Sequence, residues 1–354
     1  MKERMDDLGQ MFLAGFDGLT VGPGHPVVTA IRRDRLGGVI LFDRSIDGSR
    51  QNIASPSQLA ELTAALQEHA ETPLLVAVDQ EGGQVRRLKE EDGFPPSVSA
   101  VSLSVSPAAE AEAGMDGMAA VLAEHGINFN LAPVVDLATN PENPIISRFD
   151  RSFGREPDLV ARLAARFVQA HHRHGVACCL KHFPGHGSAS EDSHLGFVDI
   201  TDSWRQEELD PFGNLIDAGL ADAVMTAHVV HRGLDPAGLP ATLSGEMLAR
   251  LLRRRLGFTG PVVSDDLQMK AISKRWNLEE AVQMSVLAGV DLIIVGNNLA
   301  REEDVTTRGI RAIERLLEEG RIEKERLAAS LARIRTLKEK IAGRKAWKEK
   351  KPTA

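Results

Sequence analysis

Short apolar runs recur along the chain, separated by longer stretches with helical spacing. Eight runs have the length of strands: "MFLAGF" (11–16), "GGVILF" (37–42), "LLVAVD" (74–79), "INFNLAPVVD" (127–136), "GVACCLKHF" (175–183), "DAVMTAHV" (222–229), "GPVVSDD" (260–266) and "DLIIVGN" (291–297). They are rich in Val, Ile and Leu and scarcely alternate, as strands buried on both faces of a parallel sheet do. In "SPSQLAELTAALQEHA", Leu59, Leu62, Ala65 and Leu66 share one helical face, with Ser55 as N-cap and Pro56 at the first helical position. "NLEEAVQMSVLAG" opens on Asn277, carries Glu280 in capping-box spacing, and stops at Gly289. Further helices are expected from Ser244 in "LSGEMLARLLRRRLGF" and up to Gly175 in "DLVARLAARFVQAHHRHG". Buried strands alternating with helices predict an α/β fold, a TIM-like (β/α)₈ barrel, as a single catalytic domain over residues 1–340. A doubly wound open sheet is the alternative, but no G-x-G-x-x-G follows an early strand. The charged helices of 303–341 are expected to pack outside the barrel.

Composition narrows the classes. The chain has 354 residues, 43% hydrophobic and 26% charged, with a net charge of −8, which argues against a general nucleic-acid binder. The end of the chain is locally basic, and residues 341–354 are expected to be a frayed, solvated tail. The two cysteines, Cys178 and Cys179, are adjacent in an apolar run and read as small buried hydrophobes, not as a disulfide or a zinc site. The N-terminus lacks the features of a signal peptide, and no apolar run reaches membrane-spanning length. A cytoplasmic monomer without membrane contact is expected.

The barrel reading requires chemistry at the C-terminal ends of the strands. The runs end at Asp17, Asp43, Asp79, Asp136, Lys181/His182, His228, Asp265/Asp266 and Asn297. The densest stretch is "KHFPGHGSASEDSH" (181–194). His182 and His186 have i, i+4 spacing, but Pro184 and Gly185 exclude the helix that two metal ligands would need. His171, His172 and His174 end a helix before a strand, so they belong to the opposite end of the barrel and are expected to be solvated there. No metal is expected. An acid–base reading fits better. Asp192 and His194 lie one residue apart in a loop, where a carboxylate on one ring nitrogen fixes the tautomer and leaves the other to exchange a proton. Asp265 follows a buried run, and a carboxylate there needs donors or a function. In "VDQEGGQVRRL" (78–88), Asp79 suits vicinal hydroxyls, and Arg86 or Arg87 an acid or acetamido oxygen. "ISRFDRSFG" adds Arg148 and Arg151.

Taken together, "DQEGGQVRRL", "DRSFG", "KHFPGHG…DSH" and "VVSDDLQM" resemble, in order and spacing, the β-N-acetylhexosaminidases of glycoside hydrolase family 3, over roughly residues 8 to 340. The resemblance implies a TIM-like barrel and a retaining glycosidase that needs no cofactor and trims N-acetylglucosamine from cell-wall fragments. It further implies Asp265 as nucleophile, His194 as acid/base with Asp192 as its partner, and Asp79, Arg87, Arg151, Lys181 and His182 as sugar-binding residues. Two positions depart from the pattern: Gln84 stands where a basic residue is expected and Ser188 where an acid is common. A neutral imidazole base does not repel an anionic acceptor, so a glycoside phosphorylase using the same Asp/His pair is the alternative. Another β-glycosidase of the family and a non-catalytic sugar-binding relative stand further off.

Overall fold

In the computed structural model, which describes residues 7–349, the eight apolar runs supply the eight strands of a parallel barrel. These are β1 (Phe12–Ala14), β2 (Gly38–Ile40), β3 (Leu75–Val78), β4 (Phe129–Asn130), β5 (Ala177–Phe183), β7 (Ala223–Thr226), β9 (Val262–Val263) and β10 (Ile293–Val295). Two further short strands, β6 (Val198–Asp199) and β8 (Val229–Val230), pair with each other outside the barrel sheet. Neighbouring barrel strands run parallel from β1 round to β9, and β10 pairs back onto β1. The seam between β9 and β10 is carried by a Val263–Leu292 bridge, with Ser264 N donating to Leu292 O at 2.9 Å.

The ladder is shorter than the apolar runs because polar side chains and proline take over its ends. In "INFNLAPVVD", Pro133 has no N–H to donate, and β4 ends before it. The Asn130 side chain meanwhile accepts from Gln80 N at 3.1 Å and donates to Gln80 O at 2.9 Å, replacing a backbone pair. In "VVSDD", Ser264 Oγ accepts from Ile294 N at 2.9 Å and closes β9 in the same way. Each substitution frees the next residues of the run to turn toward the barrel mouth.

Helices surround the strands as the patterning requires. Ser55 caps Pro56–Glu68, accepting from Gln58 N at 3.3 Å, and Leu59, Leu62 and Leu66 are buried with Ala65 at the margin. Asn277 and Glu280 form a reciprocal capping box on Leu278–Ala288, which ends at Gly289. The final helix, Lys324–Glu349, corrects the expectation of a frayed tail: it continues through 341–349, because Ile341 is buried and Arg344 pairs with Asp222 at 2.7 Å. Residues 350–354 lie outside the described residues. No described helix is long and apolar enough to cross a membrane.

That helix crosses the N-terminal end of the barrel. Asp291, at the foot of β10, accepts from Arg253 at 2.6 Å, Arg333 at 3.0 Å, Ser330 Oγ at 2.5 Å and Val262 N at 2.9 Å. Asp222, at the foot of β7, is bound by His172 Nε2 at 2.7 Å, Cys178 N at 3.0 Å and Arg344. The histidine cluster is at this end, as expected, but it is not solvated. His171 is fully buried, stacks on Phe167 with centroids 4.1 Å apart, and has its Nε2 at 3.0 Å from the Asn130 amide. Its helix packs against β5, so the apolar face of the helix carries His171 inward, and burial lowers its pKa to about 3. His174 is bound to Asp116 at 3.1 Å. Cys178 and Cys179 are free and buried, and burial raises both thiols well above their ordinary range.

Candidate active site

The C-terminal ends of the strands open into a cavity of about 420 Å³. Asp79, Arg87, Arg151, Lys181, His182, Asp192, His194 and Asp265 all line it. Among the strand-end residues, Asp17 stands apart: it is exposed and paired with Arg301 at 3.0 Å.

One wall is a buried chain of alternating charges. Lys181 Nζ, at the end of β5, donates to Asp79 Oδ1 at 2.7 Å and lies 2.6 Å from Glu81 Oε1. Arg151 clamps the same Glu81 with two bonds, Nε to Oε2 at 2.7 Å and Nη2 to Oε1 at 2.8 Å. Arg151 Nη2 also reaches His182 Nε2 at 3.3 Å. His182 Nδ1 faces Asp136 Oδ2 at 2.7 Å, so the carboxylate fixes the Nδ1–H tautomer. Burial alone would raise the Glu81 carboxyl, but Arg151 and Lys181 outweigh it and hold Glu81 far below the usual range. Asp136 is lowered the same way, burial being outweighed by His182 and His186. Lys181 is raised despite burial, by Asp79 and Glu81. Lys181 and Arg151 are therefore fixed as cations. Arg87 lies more loosely, 3.7 Å from Asp79 and over the Phe42 ring at 5.5 Å.

Asp265 stands at the end of β9. Burial pushes its carboxyl up, yet the imidazoles of His228, His182 and His194 outweigh this and keep it below the ordinary value. Its Oδ1 accepts Asp266 N at 2.8 Å. Asp266 has a different task. It accepts from Gln268 N at 3.0 Å and Gly296 N at 3.2 Å, fastening the β9 loop to the end of β10. Burial, opposed by those donors and aided by the charge of Asp265, raises Asp266 to about 7. Adjacent acids thus have opposite protonation tendencies. His228 supports the same loop, with Nε2 2.9 Å from Asp266 O and Nδ1 2.8 Å from Thr242 Oγ1.

The third part is an arm. Residues 184–189 are buried, whereas 190–197 are largely exposed. Asp192 Oδ1 accepts from both His194 N and His194 Nδ1, each at 2.8 Å, which leaves Nε2 free. Ser193 is the buried residue of the arm, its hydroxyl 3.2 Å from His186 Nε2. His186 N in turn donates to Asp136 Oδ1 at 2.8 Å. Gly187 sits against Leu137 so closely that a Cβ there would fall 1.7 Å from its carbonyl oxygen.

Glu81 and His186 are site residues that sequence reasoning missed, and Asp136, marked there only as a strand end, is the carboxylate that holds His182 and His186. Glu81 had a usable signal, since it lies two residues after Asp79 and so points the same way from an extended strand. His186 drew attention only as a metal ligand. His182 and His186 instead meet edge to face, 6.1 Å apart, both tied to Asp136. Among the described residues, no three His, Cys, Asp or Glu side chains are grouped to hold a metal ion.

A parallel barrel with an ionised acid and a carboxylate-backed imidazole at its mouth has the parts of a glycoside hydrolase, and the comparisons agree. Residues 5–337 match the family model described as the glycosyl hydrolase family 3 N terminal domain, and the chain belongs to that family. A β-hexosaminidase of Xylella fastidiosa (strain M23) is 40% identical over 293 residues, covering 80% of this chain and 83% of its own. The β-hexosaminidase A of Pseudoalteromonas piscicida is 33% identical over 330 residues, 88% of this chain, which spans only 54% of that relative's length. Among solved structures, a family 3 β-N-acetylglucosaminidase from Paenibacillus sp. str. FPU-7 superimposes with a TM-score of 0.87 at 36% identity, over 100% of this chain and 64% of that one. The β-N-acetylhexosaminidase from Beutenbergia cavernae gives 0.83 at 30% identity, over 94% and 98%.

Proposed function

We propose that this chain is a retaining β-N-acetylglucosaminidase that removes non-reducing terminal N-acetylglucosamine from peptidoglycan-derived fragments. The observation that carries the reading is one cavity onto which both Asp265, kept ionised, and the Asp192-bound ring of His194 open. Asp265 attacks the anomeric carbon while His194 Nε2–H protonates the departing glycosidic oxygen. The resulting glycosyl ester is cleaved by a water whose proton returns to Nε2. Two inversions at one carbon retain the β configuration. An imidazole side chain suits both proton transfers near neutral pH, whereas a carboxylic acid would need burial to do so. Lys181 uses two of its three donors on Asp79 and Glu81, which leaves one for a sugar hydroxyl. Asp79, Arg87, Arg151 and His182 complete the sugar-binding wall. The β-hexosaminidase and β-N-acetylglucosaminidase relatives support the hexosaminidase specificity, and the sequence resemblance supports the cell-wall substrate. Action in the cytoplasm as a monomer is part of the proposal; two free buried thiols are in keeping with the former.

The test follows hydrolysis of an aryl N-acetyl-β-glucosaminide by NMR, with and without phosphate. The first-formed sugar is expected to be the β anomer, with the same product in both buffers. An α product would exclude double displacement, and a glycosyl 1-phosphate would make the chain a phosphorylase.

A further inference from the structure

The arm that carries Asp192 and His194 leaves the barrel through a buried root, residues 184–189, clamped from two sides. On one side Asn143 donates to His186 O at 2.8 Å and to Gly187 O at 3.1 Å, and Asn140 donates to Ala189 O at 2.8 Å. On the other side lies the segment 204–208. There Trp204 Nε1 donates to Pro184 O at 3.0 Å, and Glu208 lies flat against Gly185. Gly185 has φ +117°, and a Cβ there would come within 2.7 Å of Glu208 Oε2, so only glycine admits the carboxyl.

This second side is unfinished. Glu208 is 0% exposed, and its Oε1 receives only a long 3.4 Å contact from Arg205 N. Its Oε2 is buried without a hydrogen-bond partner, and so is the hydroxyl of Ser188. The hydroxyl and N–H of Ser188 are the polar groups of the arm root that lie within reach of this carboxyl. Two buried polar groups left unpaired side by side call for an explanation. The charged group that faces Glu208 from the barrel is Asp136. Burial, opposed by Ser188 and reinforced by Asp136, raises the carboxyl to about 7. A neutral Glu208 has one O–H to donate and one oxygen to accept with, which is what the Ser188 hydroxyl and N–H need in return.

We propose that Glu208 is a positioning residue for the His194 arm, acting through a reciprocal hydrogen-bonded pair with Ser188 at the root of the arm. The Glu208 O–H donates to Ser188 Oγ, and Ser188 N–H donates to the other carboxyl oxygen. Asp79, Arg87 and Arg151 sit on other elements, and Lys181 and His182 are held in β5 by Asp79, Glu81 and Asp136, so the main effect of Glu208 falls on proton delivery to the leaving group. This rests on His194 being the acid/base.

The experiment measures kcat/KM for diacetylchitobiose, whose leaving group needs an acid, and for dinitrophenyl N-acetyl-β-glucosaminide, whose leaving group does not. It compares Glu208→Ala, Glu208→Gln, Ser188→Ala and His194→Ala below the pKa of the Glu208 carboxyl. Glu208→Ala is expected to lose about ten- to a hundredfold on the disaccharide and less than about threefold on the activated substrate. Glu208→Gln keeps both hydrogen-bonding roles and is expected to stay within about threefold on both. Ser188→Ala is expected to reproduce the selective loss, and it carries the test if Glu208→Ala fails to fold. Equal losses on the two substrates, or a Gln variant as impaired as the Ala variant, would overturn the proposal. A selective loss in His194→Ala with none in Ser188→Ala would overturn it alone. No selective loss in His194→Ala would overturn the acid/base assignment and this proposal together.

Discussion

The two ends of the barrel are both crowded with buried charge, and they use it in opposite ways. At the N-terminal end, Asp291 and Asp222 place their oxygens on arginines, a histidine, a serine and backbone N–H groups. Those partners come from the last helix, from the helices that carry His172 and Arg253, and from the feet of the strands, so the clusters tie the chain together and leave little capacity unspent. At the C-terminal end, Lys181 and Arg151 are neutralised by Asp79 and Glu81, but these residues form only the wall. Asp265 and His194 Nε2 remain open to a cavity. Buried charge is therefore a poor sign of chemistry by itself. The informative sign is a held ionisation state combined with an unsatisfied valence that faces open space.

Substitutions at the two ends should separate accordingly. Asp265→Ala is expected to lower kcat at least about a thousandfold while leaving the thermal midpoint within a degree or two of the parent, as nucleophile removal does. A large fall in midpoint would move Asp265 into the structural class. Asp291→Ala should do the reverse. Stranding Arg253 and Arg333, with Arg326 a further 3.5 Å neighbour, beside one buried position costs about 3–5 kcal/mol in urea titrations, with kcat per folded molecule unchanged. Next in size, His194→Ala should slow substrates with poor leaving groups by about a hundredfold or more and spare activated aryl glycosides. Uniform loss across leaving groups would contradict an acid role.

The smallest effect is acid lability. Asp222 is held at about 2 in the folded chain, against an ordinary 3.8, because His172 and Arg344 outweigh burial. A depressed carboxyl stabilises the fold fully above its unfolded value and ceases to do so as pH falls through the folded one. Asp222 thus contributes about 2 kcal/mol that disappears between roughly pH 4 and pH 2. Arg344→Ala should flatten that part of the stability profile by about 1 kcal/mol. An unchanged acid limb would show that the final helix does not hold Asp222.

The barrel is legible in the sequence because parallel strands need continuous apolar runs, and each run ends on a polar residue at the mouth. Asp79, Lys181, His182 and Asp265 are legible for the same reason, and the Asp192–His194 pair from its spacing, whereas Arg87 and Arg151 are singled out from their neighbours only by the family resemblance. What is hidden depends on long-range contact. Nothing local in "AHHRHG" distinguishes a solvated histidine from His171, which a neighbouring strand buries against Phe167 and Asn130. Glu81 reads as part of a glycine turn until Arg151, seventy positions on, closes over it. The basic stretch after residue 340 reads as a frayed end because its partner, Asp222, is more than a hundred positions away.

The division of the site between rigid strands and an exposed arm bears on how such a protein changes over generations. Residues 190–197 carry the proposed proton donor, yet apart from Ser193 they are not buried, so most substitutions there leave the folded core untouched. The wall proposed to grip the sugar is embedded among ion pairs and tolerates little. Acceptance of new leaving groups can therefore drift through one short surface segment while recognition of the sugar stays put, and a mutant library confined to that segment explores aglycone scope with few unfolded clones.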